Sequence, residues 1–436
     1  MSGELRVTTT PIPGMLLIEL PVHRDSRGWF KENWQRQKMV DLGLPDFGPV
    51  QNNISFNSAV GATRGIHAEP WDKLVSVAAG RIFAAWVDLR EGETFGATFS
   101  VEIDPGVAVF VPRGVGNSYQ TLEPDTVYTY LVNDHWSADA TYTNVNVADE
   151  TAAIAWPIPL EDAELSDKDK AHPRLADVTP MAPRKTLILG AGGQLGKALV
   201  AALPDAVAWT RDDFDLTDAS AYERVAWRDY DTVINAAAYT AVDAAETLEG
   251  RRDAWRVNVS AVVELAKAAT ANGLTLVHVS SDYVFDGELP EHGVDEGFSP
   301  LGVYGQTKAA ADAVVSTVPR HYIVRTSWVI GDGNNFISTM QGLAEKGVDP
   351  AVVDDQIGRL TYTTDLAAGI LQLLRDKAPY GVHNITSGGD PKSWYEIARE
   401  TFKAAGHDPD RVSPTTTAKY AEGKNLAPRP PHSTLS

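Results

Sequence analysis

A chain of 436 residues exceeds one ordinary domain, and a soft prior of roughly 150 residues per domain suggests two or three. Hydrophobic residues at 43% and charged residues at 22% describe a soluble globular protein. A formal charge of −20, from 58 acids against 38 bases, excludes a basic nucleic-acid module and a general attraction to anionic lipid. The sequence has no cysteine, which excludes disulfides, thiolate metal sites and a cysteine nucleophile. Its longest N-terminal apolar run, Met15 to Ile18, is too short for a signal peptide or a membrane span, so a cytoplasmic location and no membrane partner are expected.

In chain order, the first 160 or so residues carry short apolar runs punctuated by Gly, Pro, Asn and Asp. KLVSV (73–77) and IFAAWVDL (82–89) flank a glycine turn at Gly80 and predict a hairpin. VAVFVP (107–112) and TVYTYLV (126–132) predict two further strands. Many short strands with almost no amphipathic helix predict an all-β sandwich or jelly roll. Residues 159–184 are charged and proline-broken and read as a linker or loosely docked tail. Beyond them, KTLILG, DTVINAAA and TLVHVSS read as buried strands alternating with helices at QLGKALVAAL, AYERVAW and AVVELAKAATANG. That alternation predicts a doubly wound parallel sheet. The expected division is a first domain over 1–178, a linker at 179–184 and a second domain over 185–436, with a small substrate lobe mainly within 330–436.

The second half carries two connected motifs. Gly190, Gly193 and Gly196 have GxxGxxG spacing, follow a buried strand and open a helix whose next residues are Gln194 and Leu195. Glycines there admit a pyrophosphate close to the backbone at the positive end of the helix; the bland alternative is a plain tight turn. Tyr304 and Lys308 are four apart, so they share one helix face. An ammonium beside a phenol favours the phenolate, and Ser281, at the end of a strand, can bind the same carbonyl oxygen. Taken alone, YxxxK is common and often only a core tyrosine beside a solvated lysine.

With these motifs in order, the second half resembles the extended short-chain dehydrogenase/reductase family and, within it, the dTDP-4-dehydrorhamnose reductases. GAGGQLG, DLTD (215–218), INAAAYTAVDAAE (234–246), VHVSSDYVFDG (277–287), PLGVYGQTK (300–308), VRTSWVIGDGNNF (324–336), VVDDQIGRLTY (352–362) and RPPHS (429–433) carry the likeness. The resemblance implies Ser281, Tyr304 and Lys308 as the catalytic trio acting at C4 of a 4-keto sugar, with serine where the family usually has threonine. It also implies Asp215 and Leu216 near an adenine, Ala236, Ala237 and Ala238 along the cofactor, and Trp328 beside the sugar. Arg211, near the end of the second strand, favours NADPH, with NADH as the alternative.

In the first half, His67 stands in TRGIH (63–67), followed by Ala68 and Glu69. A metal cupin would need a second histidine after the Pro112-Arg113-Gly114 turn, where Asn117 stands instead, so no metal is expected. The alternative for His67 is a structural barrel histidine. This half resembles the dTDP-4-dehydrorhamnose 3,5-epimerase family. RDSRGWFKENW (24–34), VQNNISFN (50–57), TRGIH, KLVSVAAGRIFAAWVDLR (73–90), TFG (94–96), FVPRG (110–114), AIAWP (153–157) and LSDKDK (165–170) carry that likeness. It implies cofactor-free proton transfer: His67 as base, Asp149 as its carboxylate partner, Lys73 stabilising the enolate and Tyr130 as the acid on the opposite face. It implies Arg27 and Arg64 on a diphosphate, with Phe30, Glu32, Gln51 and Asn53 lining the same region. This chain departs from the family at Ala68 and Glu69, at Asn117 and at Leu131, changes that bear on single versus double epimerisation.

Together the resemblances imply a bifunctional enzyme of dTDP-L-rhamnose synthesis acting on dTDP-sugars, as a homodimer in keeping with both families. The alternatives are an enzyme pair for another dTDP-deoxysugar, a reductase with a non-catalytic first half, and a binding or regulatory protein.

Overall fold

The computed structural model describes residues 4–137 and 140–436. The chain divides into two compact units, Met1–Pro183 and Arg184–Ser436.

The first unit is built on two large antiparallel sheets, beside a small hairpin of His23–Asp25 and Gly28–Phe30. One orders its strands Arg6–Thr9, Leu16–Glu19, Val107–Val111, Lys73–Ala79, Thr126–Val132 and Gln51–Asn57; the other orders Thr143–Asn144, Thr63–Ala68, Val115–Thr121, Ile82–Asp88 and Thr98–Ile103. Val75, Val77 and Val109 of the first sheet share one buried cluster with Ile82, Trp86 and Val115 of the second, so the two sheets pack face to face. The stretch expected to be a hairpin differs. Lys73–Ala79 and Ile82–Asp88 belong to different sheets, and the turn at Gly80 carries the chain across the sandwich corner. Gly80 sits at φ +80°, and a Cβ there would meet the backbone of Thr126 at 2.9 Å, so this corner needs glycine. Both strands are almost wholly buried, which explains why neither shows the alternation of a half-solvated hairpin.

The segment read as a linker is also different. It forms a short helix, Asp167–Lys170, capped by Ser166, and a 3-10 turn, Leu175–Asp177, that buries Leu175. Met181, inside the expected 179–184 linker, is buried and exchanges backbone hydrogen bonds with Leu89 and Glu91. Charge and proline content concealed a segment held by a few apolar anchors and backbone pairing.

The second unit is built on a six-stranded parallel sheet: Val207–Trp209, Lys185–Leu189, Tyr230–Asn235, Thr275–Val279, His321–Arg325 and Gly381–Asn384. The second strand in the chain lies outside the first, and the third to sixth follow on the other side. The order therefore reverses between Lys185–Leu189 and Tyr230–Asn235, and the crevice at such a reversal is where open parallel sheets bind ligands. Buried clusters lie on both faces of the sheet. A lobe with its own core of Met340, Ala344, Val352, Ala398, Phe402 and Val412 follows from helices Phe336–Glu345 and Trp394–Ala404. Among the described residues no helix is long and apolar enough to cross a membrane.

Candidate active sites

In the first unit His67 lies on the inner strand Thr63–Ala68, in register with Asn117 and Asn144. Its Nε2 is 2.8 Å from Oδ1 of Asp169, a buried carboxylate at the start of the short capped helix. The expected partner, Asp149, is used elsewhere: its Oδ1 accepts the backbone N–H groups of Thr151 and Ala152 and its Oδ2 that of Leu175. The pairing of His67 with Asp149 is thus corrected to His67 with Asp169. Burial raises the Asp149 pKa, but those N–H donors outweigh it and leave the group below its ordinary value. Asp169 is lowered in the same sense: the hydrogen bond and charge of His67 outweigh burial. The Ser-x-x-Asp start at 166–169 is a helix N-terminus signature, the one local signal that this segment is ordered. A second histidine absent from the sequence reading, His172, meets His67 edge to face at 5.2 Å. Burial, with the His67 charge second, lowers its pKa.

Lys73 begins a strand of the other sheet, between Val111 and Val132. Its side chain is buried and its ammonium pairs with the carboxylate of Glu69. Burial pulls the Lys73 pKa down to about 7; a carboxylate beside an ammonium acts in the opposite sense. The Lys73 ammonium lies 5.9 Å from the Tyr130 ring. Tyr130 is raised by burial and by Tyr119, with the Arg64 charge opposing. Lys73, Tyr130 and Arg64 are thereby brought together.

Asn53 pairs across the strands with Tyr130, and Gln51 donates to it at 2.9 Å. Arg64 donates through Nε to Asn57 at 3.2 Å. Asn117 donates to the hydroxyl of Tyr128, which stacks on Tyr119. Arg27, Phe30 and Glu32 are engaged locally rather than with His67 or Lys73. Arg27 pairs with Asp25 and Glu32 with Lys38 on the surface, and Phe30 is 66% exposed.

In the second unit one cavity of about 920 Å³ opens at the reversal of strand order. Its wall includes Gly190, Gly193, Gln194, Leu195, Arg211, Asp215, Leu216, Ala236, Ala237, Ala238, Ser281, Tyr304, Lys308 and Trp328. Gly196 is the exception among the expected residues. A Cβ there would lie 2.1 Å from the Gly190 carbonyl, so it serves the close approach of helix Gln194–Ala202 to the loop and not the cavity wall. Gly190, at φ +81°, would carry a Cβ 2.7 Å from the amide of Ala237. Gly193 caps the helix with no side chain, leaving its first amides open at the positive end. That cradle, with a lining that runs on to Tyr304 and Lys308, fits an extended dinucleotide.

Ser281, Tyr304 and Lys308, the expected trio, all line this cavity, and their electrostatics differ from expectation in one respect. Lys308 donates to the Val279 carbonyl at 2.6 Å and its Nζ is 3.5 Å from His278. Burial lowers Lys308 to about 8 and raises Tyr304 to about 12, and only a hydrogen bond with Ser281 pulls Tyr304 down. Desolvation thus favours the neutral form of both groups, against the expected phenolate beside an ammonium. Ser281 also donates to Asp282 at 2.9 Å, a carboxyl that burial raises to about 6. Trp328 stacks on Trp394 at 3.7 Å and 15°, and both line the cavity. Trp394 is absent from the sequence reading; its mark is the Ser393 and Glu396 capping box that starts its helix.

A family model described as dTDP-4-dehydrorhamnose 3,5-epimerase matches residues 9–177, and one described as RmlD substrate binding domain matches residues 184–436. A Streptococcus pyogenes protein named "Protein RmlC homolog" is 50% identical over 180 residues, covering 40% of this chain and 90% of its own length. The dTDP-4-dehydrorhamnose reductase of Mycolicibacterium smegmatis is 39% identical over 273 residues, 60% of this chain and 81% of its own. The crystal structure of the Bacillus anthracis dTDP-4-dehydrorhamnose reductase in complex with NADP is 33% identical, with a TM-score of 0.54, over 58% of this chain and 90% of that one.

Proposed function

This chain belongs to the dTDP-4-dehydrorhamnose 3,5-epimerase family through its first half and to the RmlD substrate-binding family through its second, and we propose that it performs two consecutive steps toward dTDP-L-rhamnose. The first unit, read as a cupin-type jelly roll, converts dTDP-4-dehydro-6-deoxyglucose to dTDP-4-dehydrorhamnose without a cofactor. The second, read as a Rossmann-type sheet, reduces the C4 ketone with NADPH. The observation that carries this reading is that one polypeptide holds a His67–Asp169 dyad in one unit and a Ser281, Tyr304 and Lys308 cluster in a dinucleotide-sized cavity in the other.

In the epimerase step the Nε2–H of His67 donates to Asp169, which leaves Nδ1 to accept the proton beside the ketone. Asp169 stabilises the resulting imidazolium. Lys73, paired with Glu69, stabilises the enolate oxygen in its ammonium form. Tyr130, a neutral phenol held up by burial, returns a proton from the opposite face. The carbon inverts, and the step repeats at the second carbon.

In the reductase unit the Gly190–Gly193 loop and the helix amides would hold a dinucleotide's diphosphate, and Arg211 would meet a 2′-phosphate. A bound nicotinamide supplies the hydride. Tyr304, protonated at neutral pH because it is buried, donates to the carbonyl oxygen that Ser281 also binds. Lys308 offers its ammonium at the same end of the cavity. We read the enzyme as a cytoplasmic homodimer that needs neither metal nor nucleic acid.

A coupled assay tests the whole reading. Supplied with dTDP-4-dehydro-6-deoxyglucose and NADPH in deuterated water, the chain is expected to consume NADPH and yield dTDP-L-rhamnose labelled at C3 and C5. Label at C3 alone sinks the double epimerisation, and NADPH loss without label sinks the epimerase half.

A further inference from the structure

From the sequence, His67 stands alone and argues against a metal, yet the fold sets two further donors against it. His67, Asp169 and His172 each offer one ligand atom, all within 4.8 Å of one another. His67 Nε2 is 2.8 Å, and His172 Nε2 is 4.0 Å, from the same Asp169 oxygen. The geometry points to a binding site for one divalent transition-metal ion, zinc or cobalt, held by these three residues.

A tetrahedral ion with ligand bonds of about 2.0–2.1 Å separates its donors by roughly 3.4 Å. The carboxylate therefore releases His67 by about half an ångström while His172 closes by a similar amount, a side-chain adjustment of ordinary size. Two imidazoles and a carboxylate are the donor types zinc prefers when cysteine is absent. An independent observation is His172 itself. Its side chain is 7% exposed, neither ring nitrogen makes a well-formed hydrogen bond, and only the Gly65 backbone is within reach. Buried imidazoles ordinarily have well-formed partners, and this one faces the His67–Asp169 pair with only the weak Gly65 contact. Ser166 hydrogen-bonds the Asp169 carboxylate and would orient it as an outer partner.

The consequence rests on the epimerase reading. An ion on Nε2 of His67 leaves the proton of the neutral ring on Nδ1, and a protonated Nδ1 cannot take one from substrate. Metal at this site therefore opposes epimerisation and leaves the second unit's chemistry untouched.

The full-length chain, stripped with EDTA, is titrated with Co2+ and followed by its visible absorption, then by displacement with Zn2+. Saturation at one ion per chain is expected, with affinity lowered at least about 100-fold in both His172→Ala and the bulkier His172→Gln. X-ray absorption at the zinc edge of the unmodified chain should count two imidazoles. No saturable Co2+ binding, binding unchanged in both variants, or fewer than two imidazoles overturns the site. Solvent-deuterium exchange into substrate should stop at saturating Zn2+ and return with EDTA. If it persists at saturating Zn2+, the inhibitory role is overturned. Exchange missing from the metal-free chain overturns the epimerase reading, while the cobalt titration still decides the metal site.

Discussion

Two central polar groups of the first unit sit against carboxylates: the Lys73 ammonium against Glu69, and the His67 imidazole against Asp169. In the second unit Lys308 donates to a backbone carbonyl, and buried Asp312, one turn further along its helix, is taken by Arg325. The anion cradle there is made of helix amides and glycines. The sandwich site holds Lys73 and His67 against carboxylate side chains, whereas the cavity of the parallel sheet holds Lys308 on a backbone carbonyl and presents helix amides. The two arrangements fail differently. Removing one partner of a buried pair strands the other at a cost of about 3–5 kcal/mol, while a backbone cradle is damaged by added bulk.

The sharpest test of that contrast is Asp169→Asn, which keeps the shape and removes the charge. Deuterium exchange at C3 and C5 should fall about a thousandfold or more, as loss of a base-orienting carboxylate does elsewhere. Asp149→Asn should leave exchange near its starting rate and lower the melting temperature, because it disturbs backbone N–H groups and not the base. Exchange lost equally in both variants would restore Asp149 to the dyad.

Next in size is Tyr304→Phe, expected to cut NADPH turnover on supplied ketone by about 10²–10⁴-fold with exchange in the first unit unchanged. Full turnover in that variant would show that another group donates the proton. Gly196→Ala drives a Cβ into the Gly190 carbonyl, and a cost of about 1–3 kcal/mol should appear as weakened NADPH binding by fluorescence titration. An unchanged affinity would mean that the loop yields freely.

Glu69→Gln removes the carboxylate that opposes the burial shift of Lys73. The ammonium then loses its proton more readily, so the fall in exchange rate with rising pH should move to lower pH. An unmoved pH profile would separate Lys73 from the rate. The smallest effect belongs to exposed Arg211: replacement by Ala should raise KM for NADPH about two- to fivefold and leave NADH unaffected. Equal changes for both cofactors would argue against a 2′-phosphate contact.

The difference between the units also governs how far each could be read beforehand. Three strands of the parallel sheet, Lys185–Leu189, Tyr230–Asn235 and Thr275–Val279, were legible because they are apolar runs, and the cavity because the glycine loop and YxxxK are local in sequence; Val207–Trp209, His321–Arg325 and Gly381–Asn384, short or edged by polar residues, were not. In the sandwich, the strands Val107–Val111 and Thr126–Val132 were legible, but not the corner at Gly80, since a buried strand looks the same whichever sheet it joins. Lys73 and Tyr130 could be named from resemblance. Asp169 and His172 were hidden in a segment whose charge and prolines read as a linker.

By itself the sequence determined what short-range chemistry controls: an acidic, cysteine-free chain, two kinds of fold joined near residue 180, and the residue types able to move protons and bind a dinucleotide. Tertiary structure decided which carboxylate lies against His67, that burial favours the neutral form of Tyr304, and that Glu69 and His172 stand beside the proposed machinery. The physical reason is that pairing and desolvation depend on which distant segments fold against a group, and no spacing along the chain encodes that environment.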